Sequence, residues 1–197
     1  MLWLIALLAF ASPFWLEKPA AEWSDIQLSQ FFAESPWARM TTAVGKNTLG
    51  PPVLVYIASA GPAQQAERER ERRLALRRKQ TTDTLAEEYH AWFEQYREAN
   101  VILAIRVGNT TAFSDGTEIR RMEEGCWMRG PRGRVKAVAY FPPTSRDPFL
   151  RVAFPRAFVN ADEKNLGFDL YLPGVTGPIR EVQFSMKDIT VDGKPEL

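Results

Sequence analysis

Two apolar stretches decide the fold class of this chain, Pro52-Val-Leu-Val-Tyr-Ile-Ala58 and Val101-Ile-Leu-Ala-Ile-Arg-Val107. Each is almost continuous in apolar residues, which is typical of a β-strand covered on both faces. The residues between the two stretches are patterned as helix. A strand, a helix and a second strand form a right-handed crossover that places the two strands parallel in one sheet. We therefore predict one βαβ crossover here.

The segment between the two strands has two unlike halves. Gly61-Pro62 opens a helix, with proline at a position that tolerates its missing N–H. Residues 67–79 contain seven basic and three acidic side chains, whereas an apolar stripe at helical spacing begins at Leu85. One straight helix over 62–99 would be about 57 Å long at 1.5 Å per residue, which would overhang a domain with a radius of gyration of about 16 Å. We predict a break around residues 80–84, with a basic, solvated arm before it and a core helix after it.

The C-terminal half alternates apolar and polar residues with a period of two, which predicts half-buried strands. Turns separate these strands, and Asp192-Gly193 is a hairpin signal near the end of the chain. We predict an α+β fold: a mixed sheet, antiparallel through its C-terminal half, with the one βαβ crossover and with helices packed on one face. The predicted apolar faces are Val135, Ala137, Ala139 and Phe141; Leu150, Val152 and Phe154; Phe168, Leu170 and Leu172; and Val182, Phe184 and Met186.

A short helix is predicted near the N-terminus. Ser24 is an N-cap candidate with Gln27 three residues on, which is the pattern of a capping box. The helix is expected over residues 25–34, because the residue before a proline is pushed out of helical geometry and Ser35-Pro36 follows. The predicted organisation is an N-terminal arm over 12–51 that carries this helix, followed by an α+β domain over 52–197.

The first residues predict export. Residues 2–11 are apolar and uncharged, and they end in Ala9-Phe10-Ala11, a small-x-small pattern that signal peptidase reads. We predict a signal peptide over 1–11 and a secreted or periplasmic protein. Two alternatives stay open. One is a membrane anchor, for which the uncharged run up to Leu16 is short against the roughly 20 residues that a span needs, and the other is a buried segment of a cytoplasmic protein.

Three segments carry a family resemblance: Glu22-Trp23-Ser24, Ser35-Pro36-Trp37-Ala38, and the residues from Phe184 to Leu197. They resemble uncharacterised exported bacterial proteins in which a Trp-Ser/Thr helix and a Ser-Pro-Trp-Ala turn follow the signal peptide. Some members of that family are labelled by a Gly-Trp-x-Thr-Asp domain, a pentapeptide that does not occur here. The resemblance covers the two ends of the chain, and it implies export but no activity or catalytic residue.

Composition excludes several classes of protein. The chain has 197 residues, is 45% hydrophobic and carries a net charge of +1, which excludes a disordered protein and a protein that binds nucleic acid through bulk charge. One Cys and one His exclude an intrachain disulfide and a zinc site with four Cys/His ligands. The sequence contains no nucleophile elbow, Gly-rich nucleotide turn, P-loop or metal motif. We therefore predict no cofactor and no catalytic set.

The first candidate binding surface is a basic loop around Gly130-Pro131. A turn rich in glycine frees backbone N–H groups beside cations, which suits a phosphate or another anion. The alternative is an ordinary soluble connection between two strands. The candidate anion-binding residues are Arg129, Arg132, Arg134 and Lys136.

The second candidate surface is the basic half of the long helical segment. Its local charge of +4 suits contact with the anionic headgroups of a membrane surface or with another acidic polymer. The alternative is a solvated helix face that supports itself through Glu69 with Arg73 and Glu67 with Arg70. The cations of this segment are Arg68, Arg70, Arg72, Arg73, Arg77, Arg78 and Lys79.

Aromatic and reactive side chains supply two further candidates. Trp15, Trp23 and Trp37 suit stacking on sugar rings, but in a chain with six Trp and twelve Phe the alternative is core packing. Cys126 and His90 form the one conceivable thiolate–imidazole pair. The alternative for Cys126 is a small buried hydrophobic residue.

These features favour an exported, non-catalytic module of the cell envelope that binds an unidentified partner or ligand or has a structural role. One alternative is a hydrolase that acts on polysaccharide with carboxylates alone, which two carboxyl groups roughly 5 to 9.5 Å apart in one cleft would favour. The other alternative is a polyanion-binding protein that uses the 129–136 loop.

Overall fold

The computed structural model describes residues 13–44, 50–77, 84–160 and 162–197. These residues form an α+β fold, as predicted, in which helices accompany antiparallel sheets. The helices are α1 (Phe14–Glu17), α2 (Asp25–Glu34), α3 (Gly61–Arg77), α4 (Thr84–Tyr96) and α5 (Gly116–Gly125). The strands are β1 (Ala38–Thr41), β2 (Val53–Ile57), β3 (Asn100–Arg106), β4 (Trp127–Gly130), β5 (Gly133–Lys136), β6 (Ala139–Phe141), β7 (Phe149–Pro155), β8 (Asn165–Tyr171), β9 (Ile179–Ser185), β10 (Thr190–Val191) and β11 (Lys194–Pro195).

Two sheets lie face to face. One has five strands in the order β1-β2-β3-β7-β6, and the other has four in the order β5-β4-β8-β9. Aromatic rings fill the space between them: Phe154 of the first sheet and Phe168 of the second lie 5.2 Å apart. The chain passes directly from one sheet to the other between β5 and β6, and an isolated bridge between Ala43 and Arg180 joins them at the opposite side. The β10–β11 hairpin stands apart from both sheets.

The predicted parallel crossover is wrong. Strands β2 and β3 pair antiparallel, with Val55 opposite Ile105. The reason lies in the helical segment, which is an antiparallel pair of helices: Arg68 of α3 lies 3.6 Å from Glu94 of α4. Two helices return the chain to the end of the sheet that it left, so the next strand runs in the opposite direction. The break between the helices is confirmed, because α3 ends at Arg77 and α4 begins at Thr84.

Helices α2, α3 and α4 lie on the face of the five-stranded sheet that points away from the second sheet. Tyr56 of β2 and Arg151 of β7 point to this face, and both contact Glu67 of α3. The resulting order of layers is helices, five-stranded sheet and four-stranded sheet. Helix α5 instead accompanies the four-stranded sheet, where Tyr171 donates a hydrogen bond of 3.0 Å to Glu118.

The local N-terminal prediction is confirmed, but the arm is not separate. The Gln27 backbone N–H donates to the Ser24 hydroxyl at 3.1 Å, and the Ser24 N–H donates to the Gln27 side chain at 2.9 Å, which completes the capping box of α2. Residues 38–41 form a strand that the sequence pattern did not indicate, and this strand pairs with β2. Residues 13–44 therefore belong to the same core as the rest of the chain. The predicted signal peptide lies outside the described residues.

The C-terminal segment contacts the segment around Trp37. The predicted hairpin at Asp192-Gly193 is present, with φ of 51° and 75°, the left-handed values that a tight two-residue turn requires. The Trp37 indole N–H donates to the Glu196 backbone carbonyl at 2.9 Å. The segments that carry the family resemblance therefore contact each other in the fold.

Candidate functional site

A groove with a volume of about 1460 Å³ lies between α2, α3 and one end of the five-stranded sheet. Its position follows from the strand directions, because β1 ends, β2 begins, β3 ends and β7 begins at this end of the sheet. We call it the α3 groove. Its walls are Ser29, Phe32 and Ala33 of α2, residues 68–75 of α3, Glu87 and His90 of α4, Met40, residues 51–54, Arg106, Asn109, residues 146–149 and residues 174–176.

The floor of the α3 groove is apolar. Met40 and Leu54 are directly paired in the sheet, and the same row continues to Arg106 and Phe149 on the next strands. Met40 is 55% exposed, which is unusual for a large apolar residue in the middle of a strand. An exposed apolar floor in a concave surface is the usual composition of a ligand site.

The rim of the groove is mainly basic. Three arginines come from α3 and two from the sheet end, and three carboxylate residues accompany them. Arg106 is exposed and forms no ion pair with any described residue. The charged residues of the rim are Arg68, Arg70, Arg72, Arg106 and Arg146, with Glu71, Glu87 and Asp147. Within the lining five positive charges face three negative ones, but Arg68, Arg70 and Arg72 also pair with Glu94, Glu67 and Glu69. Arg106, which has no ion-pair partner among the described residues, therefore supplies the positive charge of the groove that favours an anion.

Arg70 is the most firmly held cation of the groove. Its guanidinium lies 4.8 Å from the ring centroid of Phe32 and 4.4 Å from that of Phe149, between the two aromatic side chains. It also donates to the Tyr56 hydroxyl at 3.4 Å. Burial alone lowers the pKa of Arg70, but the interactions with Tyr56 and Glu67 outweigh it and raise the pKa, so the side chain is charged at every accessible pH.

A buried charge network lies behind Arg70. Arg151 is only 3% exposed, and it donates to Glu67 at 3.2 Å and to Asp147. Its guanidinium lies 4.3 Å from the ring centroid of Tyr89, and the Tyr56 hydroxyl donates to the same Glu67 carboxylate. Burial opposes the charge of Arg151, but the carboxylates outweigh it and its pKa is raised, while burial raises the pKa of Tyr56. This network fixes α3 on the sheet.

The network corrects the prediction of a solvated arm. Glu67 and Glu69 are both buried, and Arg70 and Arg73 are largely covered. The two predicted intrahelical pairs are present, Glu69 with Arg73 at 2.5 Å and Glu67 with Arg70 at 3.6 Å. The side chains of both pairs are largely buried rather than solvated. The reason is that Glu67, Arg70 and Arg73, three residues apart on α3, contact partners on the sheet and on α2. The sequence pattern of the helix does not reveal these partners.

The remaining cations of the predicted membrane-contact segment are mostly paired. Arg72 pairs with Glu69 at 2.7 Å, and Arg77 pairs with Asp25 of α2 at 2.8 Å. Arg68, Arg72 and Arg77 are exposed, whereas Arg73 reaches Asp25 and the Trp23 carbonyl. Arg78 and Lys79 lie outside the described residues.

Glu71 and His90 face each other between α3 and α4 at the mouth of the groove. The His90 Nε2 atom lies 3.7 Å from the Glu71 carboxylate. Burial, and then the negative charge of Glu67, raise the pKa of Glu71.

The predicted anion-binding loop does not form one pocket. Arg129 is paired with Asp169 at 3.2 Å and with Glu181 at 3.5 Å. The Arg132 guanidinium turns away from the others and donates to the backbone carbonyls of residues 157 and 158. Arg134 and Lys136 do come together, since both lie over the Trp127 ring, at 4.2 and 5.2 Å. Hydrogen bonds or ion pairs within the protein thus engage two of the four predicted anion-binding residues, Arg129 and Arg132.

The tryptophan prediction is wrong for two of its three residues. Trp37 is fully buried and Trp23 nearly so, and both belong to the aromatic cluster around Phe31. Because neither ring reaches the surface, neither can stack on a sugar. Trp15 is half-buried against Phe14 at 4.9 Å. Core packing therefore explains this aromatic cluster.

The thiol and the imidazole are held in different places. Cys126 is buried, its thiol donates weakly to the Tyr171 carbonyl, and burial raises its pKa to about 12. His90 lies instead at the groove, with Glu71. Among the described residues no cluster of three or more potential metal ligands occurs. None of the helices in the described ranges is long and apolar enough to cross a membrane.

The groove residues with the strongest structural roles were missed in the sequence. One signal was available: Arg151 is the only charge in the apolar strand Phe149–Pro155, and a charge in such a strand requires a buried partner. Its partner Glu67 is 84 positions away, so the sequence alone could not identify it. Comparisons with protein-family models, curated proteins and solved structures give no match to this chain. The chemistry of the groove therefore carries the functional inference.

Proposed function

We propose that this protein is an exported, non-catalytic binding module of the cell envelope and that the α3 groove is its ligand site. The observation that carries the proposal is the groove itself, which combines an exposed apolar floor with cations held in fixed positions. Ligand sites are usually preformed, concave and largely apolar, with a few polar groups that orient the ligand. Export rests on the apolar, uncharged segment over residues 2–11 and on the family resemblance.

The charged groups near the groove favour binding over catalysis. Glu67 and Asp147 both accept hydrogen bonds from Arg151, so their carboxylates are neutralised and committed to holding the fold. The Cys126 thiol is buried far from solvent access, with a pKa raised to about 12. A nucleophile or a general base needs a free, accessible group.

The binding role is tested with a neutral fluorescent probe, N-phenyl-1-naphthylamine, whose emission rises in apolar sites. Met40→Asp places a charge on the groove floor. Removing one apolar contact is worth about 1.5–3 kcal/mol, so the variant is expected to bind the probe at least about tenfold more weakly. Ile179→Asp is the matched control, because Ile179 is an equally exposed strand residue of the other sheet, at 54% against 55%.

Equal probe affinity in the two variants would place the binding elsewhere and refute the assignment of the groove. Absence of probe binding in the wild-type protein would refute the binding module itself. Export is tested separately by cell fractionation and by mass spectrometry of the mature chain. Cleavage after Ala11 leaves Ser12 as the first residue, and an intact chain in the cytoplasm would contradict export.

A carboxylate-dependent hydrolase is the second candidate, because Glu71 and Glu87 line the same groove and Glu71 has a raised pKa. A pair of carboxyl groups, one of them with a raised pKa, is the arrangement of a general acid and its partner in glycoside hydrolysis. The test is the release of reducing ends from polysaccharides by the wild-type protein and by Glu71→Gln. Turnover that is lost in this variant, with an unchanged melting temperature, would replace the binding module by an enzyme.

A further inference from the structure

We propose that the ligand of the α3 groove is a long-chain carboxylate, whose headgroup is bound by Arg70 and whose hydrocarbon chain lies on the apolar floor. This inference rests on the proposed function and adds the chemical class of the ligand. Its basis is a guanidinium held beside a groove floor that carries Met40, Leu54 and Phe149, which matches a molecule with a single anionic end.

Arg70 has hydrogen-bond donors that its partners within the protein do not use. An arginine has five N–H donors; the hydrogen bond of Arg70 to Tyr56 uses one of them, and its guanidinium also lies 3.6 Å from the Glu67 carboxylate. None of its nitrogen atoms is buried without a partner among the described residues, and its side chain is 21% exposed into the groove that it lines. The rings of Phe32 and Phe149, at 4.8 and 4.4 Å, hold the guanidinium at the groove. A carboxylate accepts two parallel hydrogen bonds from the edge of a guanidinium.

A buried arginine, Arg180, adds to the positive electrostatic potential of the groove. Arg180 is fully buried, and its Nη2 donates to the carbonyls of Thr176 and Pro51, two residues that line the groove. None of the described carboxylates pairs with it, and its Nε has no hydrogen-bond partner in the described ranges. A buried charge without a counter-ion is screened less than a surface charge. It therefore adds to the attraction that the groove exerts on an anion.

Largely apolar side chains of the groove floor lie next to Arg70. Phe149 touches the guanidinium, and its row of the sheet continues through Arg106 to Leu54 and Met40, so the hydrocarbon chain crosses the aliphatic stem of Arg106. Val175 extends this floor within the groove. A hydrocarbon chain gains about 0.8 kcal/mol for each buried CH₂ group, whereas a small inorganic anion would leave the floor uncovered. A headgroup with an attached chain uses both features.

The test displaces N-phenyl-1-naphthylamine from the full chain with three ligands of equal chain length, each below its micelle concentration: dodecanoate, dodecanol and dodecyltrimethylammonium. Because a hydrogen bond to a charged group is worth more than a neutral one, dodecanoate is expected to bind about 10- to 100-fold more tightly than dodecanol. The cation is expected to bind most weakly. Added salt is expected to reduce the preference for dodecanoate.

The variants assign the headgroup contact. Arg70→Gln is expected to abolish the preference for dodecanoate over dodecanol, and Arg70→Lys to restore part of it, because lysine keeps the charge but loses the paired donors. Arg106→Gln tests the other exposed cation of the groove, and Arg120→Gln, which changes an exposed arginine of α5 outside the groove, is the control expected to leave the preference unchanged. Thermal unfolding of each variant checks that the fold is intact. The comparison of the three ligands on the wild-type protein tests the ligand class even where a variant does not fold.

Each outcome decides between the two proposals. Equal displacement by dodecanoate and dodecanol would overturn the carboxylate inference and leave the binding module standing. A preference that survives Arg70→Gln but disappears in Arg106→Gln would overturn the assignment of Arg70. Failure of the probe and of all three ligands to bind would overturn both proposals.

Discussion

Arg151→Met tests whether the buried network holds α3 on the sheet. The substitution removes a guanidinium that is 3% exposed and leaves the carboxylates of Glu67 and Asp147 without their shared partner. Breaking a buried ion pair on one side costs about 3–5 kcal/mol. For a chain of this size each kcal/mol lowers the melting temperature by about 2–4 °C, so the expected decrease is roughly 6 to 20 °C.

The assay is urea and thermal unfolding followed by circular dichroism. Arg68→Met is the matched control, because Arg68 also pairs with a glutamate, at 3.6 Å, but is 66% exposed. An exposed pair contributes about 0–1 kcal/mol, so this variant is expected to unfold close to the wild type. The double variant Glu67→Gln with Arg151→Met is expected to recover part of the loss, since one buried charge is removed. Similar stability of the two single methionine variants would refute the reasoning.

Three further predictions concern other parts of the chain. Hydrogen bonds from Arg72 and Arg73 lower the pKa of Glu69 from 4.5 to about 2; the stability from this depressed pKa is present above pH 4.5 and is lost as the pH falls towards 2, so urea unfolding from pH 5 to 2.5 should show a steeper decline for the wild type than for Glu69→Gln. Ser24→Ala removes the capping box and is expected to cost about 1 kcal/mol, whereas Ser29→Ala within the same helix should not destabilise; equal losses would contradict the cap. The Cys126 thiol, with a pKa raised to about 12, should react with a disulfide reagent only after unfolding, and rapid modification of the native protein would show that it is accessible.

The tertiary contacts also explain which of the sequence-based predictions succeeded. The helix over Asp25–Glu34, the hairpin at Asp192-Gly193 and the break between α3 and α4 were all predicted. Each depends on residues within a few positions of one another: a serine cap and its partner, a two-residue turn, and a change from a basic to an aromatic helix. Strand β1 was missed because its four residues, Ala38–Thr41, carry no continuous apolar run and no clear alternation.

The functional residues depend on contacts that the sequence does not express. Nothing near Glu67 distinguishes it from the other acidic residues of α3, yet it accepts hydrogen bonds from Tyr56 and Arg151 in the interior. Arg70 is one of seven cations in its segment, and the rings of Phe32 and Phe149 set it apart. Conversely, the tryptophans that suggested a sugar site are core residues because their neighbours cover them.

By itself, the sequence determined the α+β class, the bounds of α2, the break between α3 and α4, and the apolar residues available for a core, because these depend on local geometry and on periodicity. The tertiary structure decided the direction of β3 relative to β2, the burial of the acidic residues of α3 and the existence of the groove. The physical reason is that each of these requires partners far apart in the chain, as when Arg151 meets Glu67 across 84 positions. Whether a charge faces solvent or the core is fixed only when the helix and the sheet pack together.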